Sequence, residues 1–581
     1  MILTRRRGLA AGAAILLSLL AAVAAAQVRV EIEGVEDAAR DNIEARMSLR
    51  TRVGEIGDNE SRLKRLYRQA PDEIEQALQP FGYYSPQVEA TLEGDAPKWV
   101  ARFRIDPGPP TRVKSLDPKF VGEGADFEAL NRRLRWLPLK LDQQLDHADY
   151  EATKKRMADA ATSNGFLDAA WQKSELRIKP DERRADVTLH LDTGPRYFFG
   201  PVSIEQEGLK PELIERYVQI RPGDPFEPQA LLDLQFRLSD LGYFQSVEID
   251  PQRDAANEAR EVPVAIRTTP RKRARYDFGI GYGTDTGARL SVASDLRRLN
   301  RHGHTLRSDF RLSEIKNTLG TTYRIPLGST PGESLSFTAS TETEELDAGD
   351  TLKYLIGTSL DREISDWKRR LYIEFTHEES DFGDQTTTAD LLTPGISYNR
   401  TVADNPIYTR RGWYLFADVH GAVNNVLSST TFAQGRLLGR AHYPIGWRTR
   451  LIGRVEFGYS LVETFGDLPA SQRFFAGGDQ SVRGYAYQSI GPRNEDGDVV
   501  GGRFLNVYSG EVEYRVYNNW GAALFVDAGG VGNDPGPELL MGVGAGLRYR
   551  APIGSLQLDL AHPLDDDETG VRIHIGIRVG V

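Results

Sequence analysis

The hydrophobic pattern of the chain changes character near residue 271. Before it, helical spacing alternates with short strands; after it, period two runs to the last residue. Three segments carry apolar residues at helical spacing and stop at a glycine followed by an aromatic residue: Ile74 to Phe81 before Gly82-Tyr83-Tyr84, Tyr150 to Asn164 before Gly165-Phe166-Leu167, and Leu231 to Leu241 before Gly242-Tyr243-Phe244. Alternating runs follow each of them, such as Leu176-x-Ile178 and then Val187 to Leu191, and predict pairs of strands. A glycine in that place fits a helix end in the left-handed conformation, and the aromatic after it can cap the core of a small α+β unit. Taken singly, each is merely a good helix end. Intervals of 83 and 77 residues between the glycines are too long for a solenoid and suit tandem small domains.

After residue 271, stretches such as Trp413-Tyr414-Leu415-Phe416-Ala417-Asp418-Val419 and Leu556-Gln557-Leu558-Asp559-Leu560 alternate apolar and polar positions. At the end of the chain Ile573, Ile575, Ile577, Val579 and Val581 form one apolar face, while Arg572, His574 and Arg578 share the other with glycines. A soluble sandwich also alternates. In lipid, however, only a helix or a closed barrel satisfies every backbone group, so alternation of this extent in an exported chain predicts a transmembrane β-barrel. Short connections recur as Arg324-Ile325-Pro326-Leu327-Gly328, His442-Tyr443-Pro444-Ile445-Gly446 and Arg550-Ala551-Pro552-Ile553-Gly554, and predict tight periplasmic hairpins. The longer polar segments Glu342 to Asp350 and Asp381 to Asp390 are expected as external loops. At ~10 residues per strand plus connections, the stretch from Arg275 to Val581 accommodates about 16 strands.

Export is read from the first segment. Arg5, Arg6 and Arg7 precede the apolar run Leu9 to Val23 and then Ala24-Ala25-Ala26, the order of a signal peptide with cleavage before Gln27. The apolar run falls short of the ~20 residues of a spanning helix. The 581 residues are 27% charged and 40% hydrophobic, too polar for a bundle of apolar membrane helices and too structured for a disordered chain. The formal net charge is −11, and removing the leader with its three arginines makes it −14, which argues against nucleic acid as a partner. With no cysteine, disulfides and thiolate chemistry are excluded.

The stretch Arg473-Phe474-Phe475-Ala476-Gly477-Gly478-Asp479-Gln480-Ser481-Val482-Arg483-Gly484-Tyr485 resembles the signature loop of the BamA–TamA superfamily of outer-membrane assembly proteins, whose core is Val-Arg-Gly-Phe/Tyr. Downstream, Gly501-Gly502, Glu511-Val512-Glu513-Tyr514-Arg515 and Phe525-Val526-Asp527-Ala528-Gly529 resemble the strands that follow it. The resemblance implies a membrane β-barrel of about 16 antiparallel strands preceded by three small periplasmic α+β POTRA modules. The expected divisions are a signal peptide 1–26, modules at 27–106, 107–193 and 194–270, and the barrel at 271–581. Three modules with such a barrel is the arrangement of the TamA branch. That branch implies insertion of unfolded outer-membrane β-barrel substrates such as autotransporters into outer-membrane lipid by lateral strand templating, with a TamB-like inner-membrane-anchored periplasmic protein as partner. Polypeptide secretion through the lumen, general barrel assembly of the BamA kind and, from another class, an outer-membrane enzyme are the alternatives.

A loop arginine folded into a barrel needs a fixed counter-charge, and a guanidinium matches a carboxylate bidentately. By the resemblance, Arg483 of the group Val482, Arg483, Gly484 and Tyr485 meets Asp527 and Glu513 on the inner wall. Gly279 and Gly281 weaken the first strand, which predicts a lateral seam between it and the last strand at Ile573 and Ile575. No cofactor, metal or catalytic residue is expected. Gly279-x-Gly281-x-Gly283 lacks the spacing of a phosphate loop, and neither a G-x-S-x-G elbow nor H-E-x-x-H occurs. His302-x-His304 has no third ligand nearby and reads as a polar turn between the first two strands. The ending Arg578-Val579-Gly580-Val581 departs from the terminal aromatic of many outer-membrane barrels.

Overall fold

The computed structural model describes residues 27–580, apart from 53–58, 96–97, 284–286, 329, 347–348, 383–384, 553 and 566–569. The expected leader at 1–26 lies outside the described residues. By internal packing the chain divides into two units. One reaches Val202 and includes Ile220–Leu232 and Pro251–Val264; the other comprises Ser203–Gln219, Asp233–Asp250 and Ala265–Val581. This division cuts through the third expected module, residues 194–270.

In the first unit, strands β1 (Gln27–Glu33), β2 (Gln87–Asp95) and β3 (Lys98–Asp106) form a sheet in the order β1-β3-β2, with β1 parallel and β2 antiparallel to the central β3. Helix Glu60–Leu78 lays Leu63, Leu66, Ala70, Ile74 and Ala77 on that sheet against Phe103 and Ile105. The Asn59 side chain accepts from the Arg62 N–H at 2.9 Å and caps the helix start. Strands β4 (Arg112–Val121), β5 (Ala170–Lys179) and β6 (Arg184–Asp192) repeat the order as β4-β6-β5, under helix His147–Ser163. A third sheet of β7 (Phe198–Glu205), β8 (Phe244–Pro251) and β9 (Glu261–Pro270) has the order β7-β9-β8. The repeat glycines Gly82, Gly165 and Gly242 have φ of 83°, 90° and 75°, the left-handed region a helix-ending glycine takes. The aromatics behind them go inward: Phe166, Tyr243 and Phe244 are buried, and Tyr84 packs on the core of the second module.

The second unit contains a 16-stranded antiparallel sheet in strict chain order. Its strands are β10 (Ala274–Gly283), β11 (Gly287–Leu296), β12 (Thr305–Ser313), β13 (Lys316–Pro326), β14 (Ser334–Leu346), β15 (Gly349–Ile364), β16 (Trp367–Phe382), β17 (Gln385–Ala403), β18 (Gly412–Ala422), β19 (Phe432–Ile445), β20 (Thr449–Val462), β21 (Phe504–Tyr517), β22 (Trp520–Gly532), β23 (Leu540–Ala551), β24 (Gly554–Pro563) and β25 (Arg572–Arg578). Alternation sets the faces. Tyr276, Phe278, Ile280 and Tyr282 of β10 and Ile573, Ile575 and Ile577 of β25 are exposed on the outside, whereas His574 between them is buried toward the lumen. The Pro-Gly connections after β13, β19 and β23 all lie at the end where β10 starts.

Two expectations change here. Glu342 to Asp350 and Asp381 to Asp390 belong largely to paired strands, since Glu345 pairs with Asp350 and Phe382 with Gln385. The 16, 16 and 19 residues of β15, β16 and β17 exceed the ~9–11 needed to cross a bilayer. Their polar ends are therefore sheet that has left the hydrocarbon, held by contacts such as Lys353 of β15 against Glu342 of β14 at 2.9 Å and His377 of β16 with Asp390 of β17 at 2.7 Å. His302-x-His304 lies between the second and third barrel strands, where the His304 ring meets the Tyr323 hydroxyl. Within the same unit that turn receives Tyr243, whose hydroxyl donates to the Gly303 carbonyl at 2.6 Å.

Candidate functional site: the lumen loop and the seam

The long connection between β20 and β21 folds back on itself through the bridges Phe474–Gly502, Ala476–Ile490 and Arg493–Val499. Its apolar residues Phe474, Ala476, Val482, Tyr485 and Ile490 pack on Leu505, Val507 and Val531 of the wall. Burying Val482 completely fixes the loop, and that fixes where Arg483 points.

Arg483 is 5% exposed, and its guanidinium is held by three carboxylates. Nε and one Nη donate to the two oxygens of Asp527 at 2.7 and 3.0 Å, while the other Nη donates to Glu511 and Asp559, each at 3.0 Å. Its backbone N–H also donates to Asp527 at 3.1 Å, and the guanidinium carbon lies 3.4 Å from the centroid of the Phe525 ring. Arg548, fully buried, binds Glu511 at 2.9 Å and also pairs with Asp559. Arg578 of β25 reaches Glu511 at 3.4 Å. Three arginines thus face three carboxylates, which is the balance a buried ionic cluster requires.

Gly484 has φ of 100°, and a Cβ there would lie 3.0 Å from the Pro563 nitrogen and 3.2 Å from the His562 carbonyl carbon, so a side chain is excluded twice over. The Gly484 N–H donates to His574 Nε2 at 3.0 Å. An accepting Nε2 places the imidazole proton on Nδ1, which faces Asp479. The Tyr485 hydroxyl donates to the Met541 carbonyl at 3.4 Å.

The expected partner Glu513 is corrected to Glu511. Glu513 binds Arg450, the Tyr408 hydroxyl and, at 3.2 Å, Arg550. Both glutamates sit on the lumen face of β21, so period two cannot separate them. Register does: Asp527 lies opposite Ser509, two positions from Glu511 and four from Glu513, or about 7 against 13 Å along the strand. Arg548, Asp559, Asp479 and the contacts of His574 were not anticipated. The alternation Leu558-Asp559-Leu560 and Ile573-His574-Ile575 does place Asp559 and His574 on the lumen face, but nothing in the sequence gives the depth at which the loop sits.

Gly279, Gly281, Ile573 and Ile575 lie on the two end strands of the sheet. Among the described residues no backbone ladder joins β10 to β25, and β25 pairs over seven residues with β24 alone. A Cβ at Gly281 or Gly576 would meet nothing within 4 Å, so tight packing is not what keeps these positions glycine. A cavity of about 1090 Å³ opens at this place, lined by Gly281 and Tyr282 on one side, Ile575 and Ile577 on the other, and Asp479 and Gln480 of the loop behind.

A membrane barrel with an unzipped seam and a plugged lumen, carrying small sheet-and-helix modules before it, defines a class of outer-membrane proteins. Residues 299–581 match the Omp85 superfamily domain, residues 29–107 the first POTRA domain of TamA, and residues 197–271 a POTRA domain described as a surface antigen variable number repeat. The chain thus carries an Omp85 superfamily domain in its barrel and POTRA domains before it, and it is placed in an outer membrane with those domains in the periplasm. It is 22% identical to the outer membrane protein assembly factor BamA of Nitratidesulfovibrio vulgaris over 84% of this chain and 63% of that one. It is 21% identical to BamA of Neisseria meningitidis over 71% of this chain and 61% of that one. The chain therefore spans less than two thirds of the length of these curated relatives. In fold it is similar to the crystal structure of BamA from Haemophilus ducreyi lacking POTRA domains 1–3, with a TM-score of 0.64 at 17% identity, over 80% of this chain and 98% of that one.

Proposed function

We propose that this protein inserts β-barrel proteins, autotransporters among them, into the outer membrane by lateral strand templating, as the outer-membrane half of a translocation and assembly module. The observation that carries the reading is the seam. An unpaired strand edge in lipid is costly and pairs readily with any extended chain that reaches it. In β10 and β25 those edges stand beside a cavity lined by both lumen and outward-facing residues. A client strand would add to the free edge by β-augmentation, and the modules would pass clients or bind a TamB-like periplasmic partner through their own sheet edges. The work is conformational, with no chemical step.

The test uses the absence of native cysteine. Single cysteines placed in Tyr276–Tyr282 and in Ile573–Ile577, tried in several pairs, form a disulfide when their Cα atoms come within ~7 Å. Oxidation of a productive pair is expected to stop client assembly, and reduction to restore it, with the barrel intact throughout. A fully cross-linked protein that still assembles clients at the uncross-linked rate rules out lateral opening and makes passage through the lumen the better account.

A further inference from the structure

Two arginines of the lumen wall stand outside the ionic cluster. Arg440 of β19 and Arg454 of β20 are paired directly opposite each other in the register, and both line a polar cavity of about 250 Å³ together with Arg483 and Arg578. Among the described residues neither has a carboxylate within ion-pair distance. Arg454 donates to the Ser481 carbonyl, and among the described residues Arg440 has no hydrogen-bond partner. The carboxylates nearby are already engaged. Glu456 binds Arg436 at 2.6 Å, Asp479 faces His574, Asp527 takes Arg483 and the Ser509 hydroxyl, and Glu511 and Asp559 are shared among Arg483, Arg548 and Arg578.

Like charges directly opposite on adjacent strands repel, and in a narrow lumen the repulsion is less screened than in open water. A mobile anion between them turns that cost into attraction, and two guanidinium forks present the planar donors that carboxylate and phosphate oxygens match. We propose that Arg440 and Arg454, with Arg578 across the cavity, form an oxyanion-binding site in the barrel lumen, taking a carboxylate or phosphate group. The cavity has ample room for such a group with water around it. It also touches Gly576 and Arg578 of β25, so the bound anion would lie between the wall and the inner face of the seam strand. The site stands on its own geometry and does not depend on whether the seam opens.

The experiment titrates the full chain in detergent micelles with inorganic phosphate, and in parallel with acetate, at constant ionic strength by calorimetry. Saturable binding of either anion is expected in the wild type, and weakening of about tenfold or more in R440Q/R454Q. R436Q removes an arginine already paired with Glu456 and is expected to bind like the wild type. Circular dichroism of each variant establishes that the barrel is folded. Unchanged binding in folded R440Q/R454Q, no saturable binding in the wild type, or an equal loss in R436Q overturns the site; the last would mean that the protein responds only to net charge.

Discussion

Replacing Arg483 by alanine removes one cation from a cluster of three arginines and three carboxylates, and the contacts around it show where the loss falls. Glu511 and Asp559 keep Arg548, and Glu511 keeps Arg578 as well. Asp527 keeps only the Ser509 hydroxyl at 2.6 Å and a backbone N–H, having lost both side-chain donors. It is 1% exposed, so it becomes a buried charge without a counter-charge. Breaking a buried pair in this way costs about 3–5 kcal/mol, which at 1.4 kcal/mol per tenfold shifts the docked loop by roughly two to three and a half powers of ten. The barrel itself is held by fifteen strand ladders that do not involve Arg483. The expected outcome is a protein that remains in the membrane as a folded barrel, whose segment 474–502 becomes open to added protease and whose client assembly falls. Arg483→Lys should rescue little, because an ammonium cannot make the bidentate pair with Asp527 while reaching Glu511 and Asp559. Asp527→Asn should resemble Arg483→Ala, and the double variant should cost less than the sum of the two. Wild-type loop protection and activity in Arg483→Ala, or strict additivity of the two changes, would mean that the cluster does not hold the loop.

Two further outcomes concern the periplasmic modules. Residues 27–193 carry two complete sheets with their own buried clusters and should fold alone with a cooperative thermal transition by circular dichroism; Phe103→Ala, at 1% exposure, should lower that stability by about 3–5 kcal/mol. Tyr84 of the first module donates to or accepts from His147 of the second at 2.7 Å, and burial raises its phenol to about 12 from an ordinary 10. A raised value means the phenol favours folding in full below pH ~10 and loses that contribution as pH rises toward 12. Stability of the fragment should therefore fall over that range by more in the wild type than in Tyr84→Phe, read by chemical denaturation at each pH.

How far the sequence reveals this molecule depends on the length scale of each interaction. Period two along the chain places Ile573 and Ile575 outside and His574 inside, because the faces of a strand are a local property. The repeat of Gly-aromatic endings is equally local, and Gly82, Gly165 and Gly242 have the conformation that the helix ends call for. Polarity misleads where it stands for two situations at once: Glu342 and Asp381 are polar because their strands rise out of the hydrocarbon, not because the chain leaves the sheet. The first strand of each of the first two small sheets, which comes before its helix, is set by parallel pairing with the third strand of that sheet and has no turn signal between the two.

The lumen cluster is harder to read because it depends on two independent offsets. One is the register of β21 against β22, which puts Ser509 rather than Gly510 opposite Asp527. The other is the depth to which the loop descends before Arg483, which its own apolar residues decide by packing Val482 against Val507 and Val531. A shift of two residues in either one exchanges Glu511 for Glu513 without changing any face, any charge or any alternation. Only the partners distinguish them, and those come from far along the chain: Asp559 and Arg578 reach the cluster from β24 and β25, Tyr408 and Arg450 claim Glu513 from the other side. The same geometry ties the loop to the seam. β25 has one strand neighbour among the described residues, β24, and on its lumen face His574 holds Gly484 while Arg578 holds Glu511. Undocking the loop therefore removes the contact at Gly484 from the inner face of the strand whose edge is free, and the residues that fix the loop are also among those that hold the seam strand in place.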